Sequence, residues 1–233
     1  MRIAVMQPYF MPYIGYFQLI NAVDKFIIYD DVNYIKQGWI NRNNILLNGK
    51  SHLFSIPLKD ASSFKKINEI EINKVLFIKW KDKFFKTLEL AYKKAPNYDI
   101  VISILKKSFD DYDKISDLIY LSLVETCNYL GITTKIEKTS EIYHNVELSR
   151  EERLIDICKK ENAVTYINPI GGQELYTKEY FNKHDINLLF LKTQKVDYLQ
   201  FNHDFVPWLS IIDILMFNSI EEIKDMLNQL ELI

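Results

Sequence analysis

The sequence predicts an α/β fold: a mostly parallel, twisted, Rossmann-like sheet with a β-hairpin and an inserted helical lobe. Short apolar runs that end in polar residues recur in the first and last thirds, as in strands buried on both faces of a parallel sheet. Between about 75 and 130, apolar residues instead recur every three or four positions, which is typical of amphipathic helices. We expect one domain, 1–233, with the helical lobe at about 75–130.

The first elements form a β-α-β unit, with strands at 3–6 and 26–29 around a helix at 15–23. Asn48-Gly49 then separates two apolar runs. This pair suits a turn whose two central residues have positive φ, so it predicts a β-hairpin.

Later elements follow the same rules. Three helices are predicted in the lobe, the last ending before Gly131, and Ser149 and Glu152 form a capping box at a helix start. The remaining predictions are strands at 135–137, 164–167 and 188–191 and helices at 178–183, 207–217 and 220–230.

Composition excludes several classes of protein. The 29 Lys and Arg residues against 31 Asp and Glu give a net charge of -2, so direct DNA binding is not expected. No basic segment precedes a long apolar run, and no apolar stretch reaches about 18 residues. We therefore expect a cytoplasmic protein without membrane insertion.

Cysteines and histidines indicate no metal site or disulfide. Cys127 and Cys158 are far apart in sequence, and no second Cys or His stands at ligand spacing. The four histidines also lack a partner at catalytic spacing, and we expect them to be structural or solvated: His52, His144, His184 and His203.

Polar or Gly-containing segments follow four of the predicted strands. In open parallel sheets, ligands bind beyond the carboxyl ends of the strands, where the strand order reverses. We therefore expect one crevice bordered by Gln7 to Tyr9, by Asp30 and Asp31, by Asn168 with Gly171 and Gly172, and by Gln194, Tyr198 and Gln200.

The first helix begins directly after the first strand, at Gly15 and Tyr16. Free N–H groups at a helix start suit an anion such as phosphate, and Gly allows close approach. Tight packing of the helix on the sheet explains Gly15 equally well.

A polar and aromatic loop lies between the second strand and the hairpin. Lys36 and Arg42 can bind phosphate, Trp39 can stack on a base or a sugar, and Asn41 and Asn43 supply donors and acceptors. The alternative is a turn whose Asn side chains bond their own backbone.

Asp30 and Asp31 are the candidate catalytic pair. At a strand end, carboxylates can orient an amine, bind a divalent cation or act as a general base. The alternative is a pair of exposed turn carboxylates. The chain lacks Gly-x-Ser-x-Gly, a Walker-type loop and Gly-x-Gly-x-x-Gly, so hydrolase, P-loop and dinucleotide functions lose support.

Five segments in order along the chain resemble the signature blocks of the WbqC-like family. The blocks cover nearly the whole sequence: 7–17, 29–32, 39–43, 168–172 and 209–213.

The family is associated with bacterial O-antigen and other surface-polysaccharide clusters. The resemblance implies transfer of glycine, or a similar acyl group, to the amine of an amino sugar, which can be nucleotide-linked. The glycine donor would be free glycine or glycyl-tRNA. Tyr9, Trp39, Asn41 and Arg42 would then hold donor or nucleotide, with Asp30 or Asp31 as the base.

A looser resemblance concerns the nucleotidylyltransferase and pantothenate-synthetase group. Tyr13 and Tyr16 stand where that group has two histidines, and Ser210, in the block that also contains Asp213, would match its second phosphate-contacting segment. Neutral phenols cannot supply an imidazolium, which disfavours adenylate chemistry. The cofactor is left unassigned, with ATP and a divalent cation as the candidate for this alternative. A non-catalytic protein that binds a nucleotide sugar is the third hypothesis.

Overall fold

The computed structural model describes residues 1–109, 112–201 and 204–233. The histidine at 203 therefore lies outside the described residues. The strands are β1 (Arg2–Met6), β2 (Lys25–Ile28), β3 (Arg42–Leu47), β4 (Lys50–Ser55), β5 (Leu58–Lys59), β6 (Glu71–Ile72), β7 (Lys135–Glu137), β8 (Thr165–Pro169), β9 (Asn187–Thr193) and β10 (Leu230–Leu232). The helices are α1 (Ile14–Asn21), α2 (Lys74–Tyr92), α3 (Tyr98–Ser108), α4 (Ile115–Leu130), α5 (Arg150–Lys160), α6 (Lys178–Asn182), α7 (Ile211–Phe217) and α8 (Ile220–Leu227).

A six-stranded sheet forms the centre of the molecule, in the order β10-β9-β8-β1-β2-β7. All neighbouring pairs are parallel except β9 and β10. The chain builds outward from β1 through β2 to β7, then returns to the other side of β1 and builds outward through β8 and β9. The strand order therefore reverses between β1 and β8, and the predicted α/β fold with a mostly parallel sheet is confirmed.

Hydrophobic residues cover both faces of this sheet. Along β1, Ile3 and Val5 belong to one buried cluster, whereas Ala4 belongs to the other. This alternation follows from the two-residue period of a strand. One cluster includes residues of α1, α4, α7 and α8, and the other includes residues of α5 and α6. The apolar runs are thus strands with helices on both sides, as the sequence predicts.

Local sequence signals place the hairpin and the lobe correctly. β3 and β4 pair antiparallel around Asn48 and Gly49, whose φ angles are 52° and 70°. The three predicted lobe helices are α2, α3 and α4. Gly131 follows the last of them with a left-handed φ of 71°.

The two final elements differ from the prediction. Helix α7 begins at Ile211 rather than 207, because the Ser210 hydroxyl accepts the Ile212 N–H and caps it there. Leu230 does not continue the stripe of α8. That helix ends at Leu227, and Leu230 pairs with Thr193 in the antiparallel strand β10.

The loop between β1 and α1 is fixed by a bend at Met11. This buried residue has a φ of 43°, which is uncommon for a residue with a side chain. Its carbonyl accepts from Asn43 Nδ2 and from Ser210 Oγ, both at 2.6 Å. Two side chains distant in sequence therefore hold the loop that leads into α1.

None of the described helices is long and apolar enough to span a bilayer.

We expect Asn43→Ala and Ser210→Ala each to lower the free energy of unfolding by about 1 to 3 kcal/mol, because each loses a buried hydrogen bond. The double variant should lose more than the sum, since the Met11 carbonyl then has no partner. Urea unfolding measures both effects, with Asn44→Ala as the control on the same strand. Strictly additive losses would show that the two bonds act independently.

Candidate functional site

A cleft of about 750 Å³ lies at the carboxyl ends of β1 and β8, where the strand order reverses. This is where open α/β sheets bind ligands. Its wall includes the ends of both strands, the start of α5 and three predicted residues or segments: Gln7, Asn168 and the Gly171-Gly172 pair. The sequence therefore located this edge of the sheet.

Two features of the β8 turn shape the cleft. Asn168 is buried, and its Oδ1 accepts from the Tyr166 hydroxyl at 3.3 Å. A Cβ on Gly172 would collide with the Asn168 amide, whereas Gly171 is open to solvent with no atom near its missing Cβ. Gly172 thus leaves room for the Asn168 side chain, and Gly171 leaves the mouth of the cleft open.

A buried ion pair supports the opposite wall. Asp31 Oδ2 and Arg153 Nη2 are 2.6 Å apart, and both side chains are less than a tenth exposed. The other Asp31 oxygen accepts from the Ser140 hydroxyl, and Arg153 Nε donates to Asn145. The guanidinium lies 4.7 Å from the centre of the Tyr29 ring. Asp31 is thus engaged in positioning Arg153 and Tyr29 rather than open to the cleft.

Arg150 is the second arginine of this wall. It is the first residue of α5, is exposed and lines the cleft close to Tyr29 and Tyr176. Its positive charge lowers the pKa of both phenols, while their burial has the larger and opposite effect, which raises the pKa of Tyr29 to about 12. No carboxylate among the described residues pairs with Arg150. This cation is therefore available to an anion in the cleft.

Asp30 is only 2% exposed and lies behind the cleft wall, next to Tyr29. Its Oδ1 accepts from Thr139 Oγ1 at 2.7 Å and from the Ser140 N–H at 3.2 Å. Burial, which disfavours the charged form, outweighs these bonds and raises the pKa of Asp30 to about 6. The alternative of two exposed turn carboxylates is wrong, since both acids are buried.

A smaller pocket of about 300 Å³ adjoins the cleft and shares Gln7 with it. Tyr9 and Trp39 line it with their ring centres 6.2 Å apart, and Trp39 is 49% exposed. Tyr16 is buried and donates its hydroxyl to the Gln7 carbonyl at 2.9 Å. The structure thus brings five of the predicted residues together here, including Gly15.

Gly15 itself is tightly packed. A Cβ at this position would collide with the Tyr13 ring and would lie 2.7 Å from Thr193 Oγ1. The space at this helix start is filled by side chains, which agrees with the packing explanation of Gly15.

The other predicted residues of the 36–43 loop line neither cavity: Lys36, Asn41, Arg42 and Asn43. Lys36 is exposed, and the Arg42 guanidinium lies 5.2 Å from the Trp39 ring centre and donates to the Gln37 carbonyl. Asn41 donates to the Ile56 carbonyl and accepts from the Tyr34 hydroxyl. Asn43 donates to the Met11 carbonyl, so the side chains of both asparagines form hydrogen bonds with the backbone.

The three late predicted residues also lie outside the cleft. Asp213 is fully buried and accepts from the hydroxyls of Tyr92 and Tyr198 and from Gln200 Nε2 at 2.6 to 2.7 Å. Burial raises the pKa of Asp213 despite these bonds. Ser210 caps α7. This network anchors the segment between β9 and α7 and does not border the cleft.

Sequence reasoning missed four residues of the cleft wall: Tyr29, Arg150, Arg153 and Tyr176. A local signal could have identified Arg150. A cation at the start of a helix is disfavoured by the helix dipole, so its presence there suggests a binding role. The other three follow only from contacts distant in sequence. Among the described residues, no group of three or more His, Cys, Asp and Glu side chains is arranged to hold a metal ion.

Comparison with known proteins agrees with the sequence blocks noted above. Residues 7–225 match the model of the WbqC-like protein family. The uncharacterized protein Rv1507c of Mycobacterium tuberculosis (strain ATCC 25618 / H37Rv) is 29% identical over 230 residues, which cover 97% of each chain. No solved structure matches the chain. The chain therefore belongs to the WbqC-like protein family.

Proposed function

We propose that this protein binds a nucleotide-linked or other phosphorylated amino sugar in the central cleft and transfers glycine, or a similar acyl group, to the sugar's amine. Surface-polysaccharide assembly is the pathway that the family resemblance implies. The observation that carries the proposal is a cation without a partner at the reversal of strand order.

Charge within the cleft supports an anionic substrate. Asp31 neutralises Arg153, whereas Arg150 has no carboxylate partner among the described residues. A guanidinium can bind two oxygens of a phosphate at once. Gln7 and Asn168 also line the cleft, and side-chain amides of this kind bond the hydroxyls of a sugar.

The proposed reaction is an ordinary acyl transfer. The acyl donor is an activated form of glycine, either glycyl-tRNA or a glycyl adenylate made from glycine and ATP with release of pyrophosphate. The neutral amine attacks its carbonyl carbon, so a C–N bond forms and the C–O bond to the leaving group, tRNA or AMP, breaks. The oxygen departs with the bonding electrons, and the amine's extra proton passes to a base. We assign that role to Asp30, whose pKa of about 6 leaves it mostly ionised at neutral pH and to which no described cation is paired. Because Asp30 lies behind the cleft wall, the proton has to reach it through an intervening water.

The direct test is mass spectrometry of an amino-sugar nucleotide incubated with the folded protein. One reaction contains glycine and ATP, and the other contains glycyl-tRNA. We expect the sugar nucleotide to gain the mass of one glycyl group with one of the two donors. No adduct with either donor across a panel of amino-sugar nucleotides would contradict the proposed reaction.

Arg150→Ala should weaken binding of the sugar nucleotide about 10- to 100-fold, the loss expected for one charge-assisted contact. Calorimetry measures this, and added salt should weaken binding by the wild type more than by the variant. Arg2→Ala is the matched control, because Arg2 starts β1 at the opposite end of the strand and pairs with Asp24. Equal affinities for Arg150→Ala and the wild type would exclude the phosphate contact.

Asp30→Asn should separate function from stability. Because the folded-state pKa lies above the ordinary 3.8, Asp30 stabilises the fold most below pH 4, and this contribution declines as pH rises towards 6. Above pH 6 the free energy of unfolding of the variant should therefore exceed that of the wild type by at most about 3 kcal/mol. Urea unfolding measures this difference. At pH 4 the difference should vanish.

As a base, Asp30 must be ionised, so wild-type kcat should rise through about pH 6 and Asp30→Asn should lose turnover while gaining stability above that pH. Thr139→Val is the control, because it removes a hydrogen bond to the carboxylate without removing the acid. Full activity in a stabilised Asp30→Asn protein would contradict the role of Asp30.

A further inference from the structure

A second cavity, of about 670 Å³, lies on the far side of Tyr13 from the cleft. It is bordered by the start of α1 and by the segment between β9 and α7. Four aromatic side chains line it, and we call this cavity the aromatic pocket: Tyr13, Tyr198, Phe205 and Trp208. Its volume is that of a small-molecule site.

The walls of the aromatic pocket are held rigidly. The Tyr198 hydroxyl donates to the buried carboxylate of Asp213 at 2.6 Å, and the Tyr198 ring packs edge-on against Phe205 at 5.2 Å. Gln200 donates to the same carboxylate and accepts the Val206 N–H at 2.7 Å. Because these bonds fix both ends of the wall, a ligand would meet preformed rings.

Trp208 is the anomalous residue of this wall. It is 72% exposed and has a φ of 61°, an outlier for so bulky a side chain. The next two residues are buried, and the Ser210 N–H donates to the Asn44 carbonyl at 2.8 Å. The fold thus keeps the indole ring exposed to solvent although the backbone at this residue is strained. Strained backbone conformations are frequent at ligand sites.

The charge of the pocket selects an uncharged ring. Of the described residues that line it, only Lys195 and Asp197 are charged, and they pair with each other. No described residue takes the side-chain hydrogen bonds of Gln194, so its amide is free to bond the edge of a base. Aromatic walls, a neutral rim and a free amide together match a nucleobase.

We propose that the aromatic pocket binds the adenine ring of the acyl donor, with Trp208 as the stacking residue. Both activated forms of glycine carry an adenosine next to the acyl group. In a glycyl adenylate, made from glycine and ATP, the acyl group is on the phosphate, and in charged tRNA it is on the terminal ribose. The choice of adenine and the identity of the donor rest on the proposed function, whereas binding of a nucleobase rests on the walls of the pocket alone.

Continuity of the cavities fits this assignment. Tyr13 borders the aromatic pocket and also the small Tyr9 and Trp39 pocket, which in turn shares Met6, Gln7 and Ile35 with the cleft. For transfer to occur, a donor seated by its adenine must have its acyl group on the side of Tyr13 that leads to the proposed sugar site.

Calorimetry with adenosine, and with uridine for comparison, tests the pocket without any turnover. Trp208→Ala should weaken adenosine binding about 10-fold, the loss typical of one stacking contact, while Trp208→Phe retains most of it. Phe64→Ala is the control, because Phe64 is an exposed aromatic residue that lines none of the three cavities, and it should leave adenosine affinity unchanged. Because Trp208 is exposed, we expect its variants to unfold at the wild-type temperature or above.

Two further titrations distinguish the sources of adenosine. ATP that binds more tightly than adenosine, with the same Trp208 dependence, would favour the adenylate, whereas tighter binding of a short RNA hairpin ending in CCA would favour tRNA. Undetectable adenosine binding, or equal affinity in Trp208→Ala, would overturn the pocket assignment even if a glycyl adduct forms. Adenosine binding that depends on Trp208 without any adduct would uphold the pocket and reject the proposed reaction.

Discussion

The buried ion pair between Asp31 and Arg153 is the constraint on which the cleft depends. It joins the carboxyl end of β2 to α5 across 122 residues of sequence. Removing one partner of such a pair leaves an uncompensated buried charge and typically costs about 3 to 5 kcal/mol, although the intact pair adds little net stability. The pair therefore acts mainly as a fixed point, which sets where the start of α5 lies and holds the Tyr29 ring against the guanidinium.

The ion pair also gives the two arginines of the cleft different roles. Arg153 is neutralised and buried, so it serves as structure, whereas Arg150, one helical turn earlier, is exposed and lacks a carboxylate partner among the described residues. A cation at the start of a helix is disfavoured by the helix dipole. An anion bound beside Arg150 would remove that conflict, which is why the proposed phosphate lies at this wall.

The sequence predicted the elements that depend on local signals. Asn48-Gly49, the Ser149 capping box and Gly131 are decided within a few residues, and the apolar runs are decided by burial on both faces. It also located the sheet edge through Gln7 and Asn168. It could not rank Asn41 and Asn43, because an amide that binds a ligand and one that bonds backbone have the same donors and acceptors. The two roles are distinguished only by where the fold places the carbonyls of Met11 and Ile56, which accept from Asn43 and Asn41.

The two tyrosines at the start of α1 line the Tyr9 and Trp39 pocket beside the cleft and are uncharged. Tyr16 already donates its hydroxyl to Gln7, and burial raises its pKa, so it stays neutral at physiological pH. Burial likewise raises the pKa of Tyr13, whose ring closes the space beside Gly15. These two phenols therefore offer no positive charge to a phosphate, whereas the cation Arg150 on α5 lines the cleft. If a phosphate binds at α5, the uncharged parts of the ligands can bind near the start of α1. The aromatic residues of both smaller pockets lie there.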